Sequence, residues 1–70
     1  MEYTFIKHCR ETMRERKIEE KHVETVIARG QKWFSHADSR WHARMGGIKA
    51  VYEVEGNECI VITCFYTGLP

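Results

Sequence analysis

Apolar positions recur at two different spacings along this chain, and the change of spacing divides it in two. Phe5, Ile6, Cys9 and Met13 stand three and four residues apart, while Lys7, Arg10, Glu11, Arg14 and Glu15 fall between them. That is the signature of an amphipathic helix, placed here from Ile6 to Arg16. A second helix is expected from Glu19 to Arg29. Ile18 and Val23 can staple its start, Glu19 and Glu20 favour the positive end of its dipole, and Val23, Val26 and Ile27 share one face. Gly30 is read as its left-handed stop.

From Gln31 onward the period is two, with β-branched and aromatic residues over Trp33 to His36, Arg40 to Met45, Ile48 to Val54 and Glu58 to Tyr66. The turn signals Ala37-Asp38-Ser39, Gly46-Gly47 and Gly56-Asn57 separate these segments and are short enough to join antiparallel neighbours. The expected fold is a single α+β domain over residues 1–70, with two N-terminal helices packed on one face of a four-stranded, mainly antiparallel sheet. Met13, Val23, Ile27, Ile60 and Ile62 are the expected core. The last strand is apolar on both alternating faces from Cys59 to Tyr66, which places it inside the sheet. Its second face needs cover, from this chain or from a second copy in a homodimer.

Seventy residues allow one small core. A hydrophobic share of 43% with 30% charged residues belongs to a globular chain, not a disordered one. Eleven Lys and Arg against ten Asp and Glu leave a net charge of +1, so attraction to nucleic acid or acidic membranes has to be local and not global. Three cysteines make no paired framework, and no charged leader with an apolar run is seen, so the expected location is cytoplasmic. No apolar run reaches the length of a membrane span.

Several side chains could carry chemistry. His8 falls in the first turn of the first helix, where the dipole favours a neutral imidazole able to accept a proton; the alternative is a half-buried ring bonded to a backbone carbonyl. His8, Thr12 and Arg16 lie along one line of that helix, and Arg16 either packs its stem at the core edge or serves a site. Arg40, His42 and Arg44 alternate along one strand and so project to one side, either as a phosphate-gripping row or as a solvated face. Cys59 and Cys64, an odd number apart, are expected on opposite faces, and neither has the spacing of a structural zinc site. Assembling a metal site from His8, His36 and His42 would need supporting carboxylates that the spacing does not provide. No metal and no cofactor is expected. Cys9 is read as a core residue, because His8 points about 100 degrees away on the helix. No phosphate-cradling glycine loop, nucleophile elbow or placed carboxylate pair occurs.

Thr4, Lys7, His8, Met13, Arg16, Ile18 and Val23, a strand ending in Arg44, and the pair Val51 and Thr63 resemble the prokaryotic domain-of-unknown-function family numbered 4258, over nearly the whole chain. Against the family pattern, Cys9 stands in place of an alanine, Thr12 in place of an arginine and Lys17 in place of a glycine. The family is similar in architecture to small toxins and ribonucleases of the barnase-like, colicin-like and interferase kinds. The resemblance therefore implies metal-independent RNA cleavage. In that reading His8 or His42 takes the proton from a ribose 2′-hydroxyl, and Arg16, Arg40 and Arg44 stabilise charge on the phosphate. Trp41 or Tyr66 would stack on a flanking base. The alternative is a non-catalytic protein-binding or regulatory module that works through its sheet face, as a dimer or with another protein. Across the two readings the expected partners are RNA or an antitoxin-like protein. The two differ in geometry: cleavage requires His8 and the strand arginines to converge on one patch.

Overall fold

In the computed structural model, which describes residues 1–68, the elements run β1 (Glu2–Phe5), α1 (Lys7–Arg16), α2 (Glu20–Arg29), β2 (Gln31–Ser35), β3 (Arg40–Met45), β4 (Ile48–Glu55) and β5 (Glu58–Tyr66). The sheet has five strands in the order β1-β5-β4-β3-β2. Strands β2 to β5 form the expected antiparallel meander through the three turns named above. The fifth strand corrects the four-stranded expectation. Glu2 to Phe5 pair in parallel with Glu58 to Val61, so the sheet is mixed and β5 is interior. Phe5 and Ile6 therefore do not belong to the first helix: Phe5 ends a strand, and Ile6 is extended ahead of Lys7, at φ −67° and ψ 160°.

Both helices lie on the same side of this sheet. Cys9 and Met13 of α1, Ile18, and Val23, Val26 and Ile27 of α2 form one core with Phe5, Ala43, Ala50, Tyr52, Cys59, Val61 and Cys64 from the strands. Ile18 and Val23, the expected staple, are both buried in it. Ile60 and Ile62 are not part of that core. The reason is a bulge in β5: Val51 pairs with Thr63 and Tyr52 with Val61, leaving Ile62 as an extra residue. The bulge also overturns the alternation expected of the cysteines. Cys59 and Cys64 are both fully buried in the layer under the helices.

The left-handed stop expected at Gly30 is found at the end of α1 instead. Lys17, not Gly30, takes the left-handed conformation, at φ 60°. Its amide donates to the Arg14 carbonyl, and the Ile18 amide reaches back to Met13 at 2.9 Å, closing α1 as a Schellman motif closes a helix. Gly30 is extended, at φ −76° and ψ 176°. It is required for space instead: a Cβ there would stand 2.5 Å from the Val26 carbonyl oxygen and 2.6 Å from that of Arg44. Helix α2 thus runs into β2 without a linker while pressed against the backbone of β3.

These assignments predict substitutions of opposite sign. Gly30→Ala lowers unfolding stability by about 1–3 kcal/mol, since backbone must shift to admit the methyl. Lys17→Gly raises it by up to about 1 kcal/mol by relieving the left-handed backbone. Urea denaturation of both variants checks the pair.

Candidate functional site

Alternation along the strands decides which side chains meet. Ala43 of β3 and Ala50 and Tyr52 of β4 point to the helices, so Arg40, His42 and Arg44, together with Lys49, Val51 and Glu53, point to the other face. The strand registers arrange that open face in rows. Gln31, Arg44, Lys49 and Phe65 lie across from one another in the first, and Trp33, His42, Val51 and Thr63 in the second. In the third, Ser35 pairs with Arg40 and Glu53 with Ile60, and the Arg40 Nε donates to Glu53 Oε2 at 3.0 Å across β3 and β4.

The middle row is the most enclosed part of this face. His42 is only 9% exposed, and Val51 beside it is buried although it lies outside the helix-side core. The Trp33 ring stacks on the imidazole, with centroids 5.5 Å apart and planes 21° from parallel. His42 Nε2 lies 3.1 Å from Asp38 Oδ2. An ionised carboxylate only accepts hydrogen bonds, so Nε2 carries the hydrogen and donates it. In the neutral ring Nδ1 is then the bare acceptor. That atom is buried and has no partner among the described residues.

Asp38 is fixed from two sides, because its Oδ1 also accepts the Arg40 backbone amide at 3.1 Å. Desolvation acts to raise its carboxyl, but the hydrogen bonds from the His42 ring and the Arg40 amide and the nearby imidazole charge lower it, and the net shift is downward from the ordinary 3.8.

The first row carries positive charge. Lys49 holds its ammonium 5.3 Å from the Trp33 ring centre and 5.9 Å from that of Phe65. Arg44 is exposed, and among the described residues no acidic side chain pairs with it or with Lys49. The third row is neutralised by its own ion pair. The open face therefore grades from a compensated end at Arg40 and Glu53 to an uncompensated cationic end flanked by two aromatic rings.

The remaining sequence candidates lie elsewhere. His8 is exposed in the first turn of α1, in the helix layer, and so does not converge with His42, Arg40 and Arg44. Arg16 ends the same helix, exposed, and its carbonyl accepts the Tyr66 hydroxyl at 3.3 Å. Trp41 sits on the helix side, where it lines a groove of about 470 Å³ with Ile27, Tyr52 and Val54. Of the expected set, only His42, Arg40 and Arg44 come together. Trp33, Asp38, Lys49 and Phe65 join them, and the sequence reading passed over these four. The signal for Trp33 lay in the hairpin register, which sets it opposite His42; that for Asp38 lay in its place in a turn only two residues before β3.

The thiols offer no nucleophile. Burial pushes Cys59 up to about 11 and Cys64 up to about 12. Burial likewise raises Cys9, against a lowering contact from Cys64. Among the described residues no three His, Cys, Asp or Glu side chains gather as a metal-binding group. No helix among them is long and apolar enough to cross a membrane.

The lowered Asp38 carboxyl has a consequence for stability against pH. A group whose folded pKa is depressed stabilises the fold above its unfolded value, and that contribution is lost as pH falls through the folded value. Asp38→Asn keeps an acceptor for the Arg40 amide but removes the charge facing His42. Its melting temperature should fall below the parent's at neutral pH, and the gap should close in acid below the ordinary carboxylate range. Parallel thermal melts across that range check this.

Against known proteins, no curated protein and no solved structure matches the chain significantly. One family profile does, that of the domain of unknown function DUF4258, over residues 5–66. The match takes in both helices and strands β2 to β5, the elements that build the open face and its backing core, and the chain belongs to the DUF4258 family.

Proposed function

We propose that the open sheet face binds single-stranded RNA, with phosphates at Arg44 and Lys49 and bases on the rings of Trp33 and Phe65. The observation that carries this reading is the first row itself: two cations without acidic partners among the described residues, one of them with its ammonium over both the Trp33 and the Phe65 rings. Single-strand recognition uses that combination, since a cation meets the backbone and a ring face accepts any base. A net charge of +1 for the whole chain fits a short, local contact and not a broad electrostatic field.

Cleavage is the second reading, and the Asp38–His42 pair favours it. A carboxylate that fixes an imidazole through one nitrogen leaves the other as a proton acceptor. Here that acceptor, Nδ1, is buried, so catalysis at His42 requires the groups around the ring edge to open when RNA binds. His8 plays no part in this version, because it stands in the helix layer.

Fluorescence titration with an unstructured oligoribonucleotide, in chelator and over a series of salt concentrations, tests both readings. Arg44→Ala and Lys49→Ala should each weaken binding and reduce the slope of log affinity against log salt by roughly 0.7, the value for one lost single-strand phosphate contact. Trp33→Ala should cost roughly 1–3 kcal/mol of binding. Arg10→Ala, on the exposed side of α1, should match the parent. Unchanged affinity in both cation variants contradicts the binding reading. RNA left intact by the parent removes cleavage alone, and shortened RNA that persists in His42→Ala removes His42 from it.

A further inference from the structure

Sheet edges are normally protected by charges, prolines, bulges or a covering element, because an unpaired edge invites another strand. Edge β1 is short and carries Glu2. Edge β2 has little protection of this kind. It is regular, pairing residue for residue with β3 from Gln31 to Ser35, and its outer side makes no backbone hydrogen bond among the described residues. Its only charge is Lys32, whose ammonium is turned back onto the carbonyls of Ala28 and Gly30 at 3.2 and 3.0 Å. Aromatic rings project from both faces of this edge: Trp33 is 38% exposed on the open side and Phe34 40% exposed on the helix side, where it meets Trp41 edge to face.

We propose that β2 pairs with β2 of a second copy, antiparallel about a two-fold axis at Trp33, so that two sheets join into one. The argument is the self-complementarity of Gln31-Lys32-Trp33-Phe34-Ser35 in that register. Trp33 faces its own equivalent, Gln31 faces Ser35 of the second copy, and Lys32 faces Phe34 of the second copy on the helix side. No two like charges are opposed, and the stem of each Lys32 lies opposite an aromatic ring. A two-fold axis makes every such contact twice, as an isologous dimer requires. The open faces of the two copies then run on across the junction, with both Trp33 rings at its centre.

The inference is independent of the RNA reading, and its test contains no RNA. Sedimentation of the full chain should show a species of twice the 8.3 kDa chain mass at concentrations up to millimolar. Phe34→Lys sets a lysine against Lys32 of the second copy at both ends of the junction and should leave monomer, with an unchanged circular dichroism spectrum. Phe34→Glu sets a carboxylate against the same lysine and should keep the dimer. In the parent, amide exchange in β2 should slow as concentration rises, a readout that needs no variant. A parent that stays monomeric, a Phe34→Lys protein that associates like the parent, or a Phe34→Glu protein that dissociates like Phe34→Lys overturns the proposal.

Discussion

Strand β5 hydrogen-bonds to β4 along one edge and to β1 along the other, while Cys59, Val61 and Cys64 fill the layer beneath α1 and α2. Its other face, with Ile60, Thr63 and Phe65, receives no helix. The described residues form two ten-residue helices, and both lie on one side of the sheet. The hydrophobic driving force thereby assigns roles to the two faces. One side becomes core, and the other must be kept in water by whatever its own side chains can arrange.

What they arrange is a surface satisfied at one end and open at the other. Arg40 is occupied by Glu53, and Asp38 by His42 and the Arg40 amide, so this end is internally compensated. Trp33 and Val51 enclose the imidazole from ring face and flank. The cost is a buried nitrogen, His42 Nδ1, without a partner among the described residues, an arrangement rare in protein interiors. At the other end Arg44 and Lys49 have no acidic partner among the described residues. Among the described residues no ion pair would be lost there, which is why the proposed phosphate contacts fall on the cationic row and not on the paired Arg40.

The sequence was most legible where structure is local. Helical spacing from Cys9 to Met13 and from Val23 to Ile27, the bounds of β3 and β5, and all three turns depend on residues within a few positions of one another. Strand β1 was not legible, because its four residues flow into α1 with no turn between and its partner lies at the far end of the chain. The cysteine faces and the core isoleucines were misread for one cause, the extra residue at Ile62, which resets alternation halfway along β5. At the helix ends, glycine had two possible uses, and sequence cannot separate a left-handed turn from a close approach; Gly30 proved to be the second. The alternation of Arg40, His42 and Arg44 did place them on one side. Joining His8 to them failed, since no local rule says which side of a sheet a helix will cover.

The proposed binding residues all lie on the open face, separated from the helix layer by the sheet. Amide chemical-shift mapping during titration with an unstructured oligoribonucleotide reads that partition residue by residue. If the open face binds RNA, shifts concentrate at Trp33, His42, Arg44, Lys49, Thr63 and Phe65, and His8 to Arg16 stay unmoved. Shifts centred on α1, with the open face silent, would contradict it.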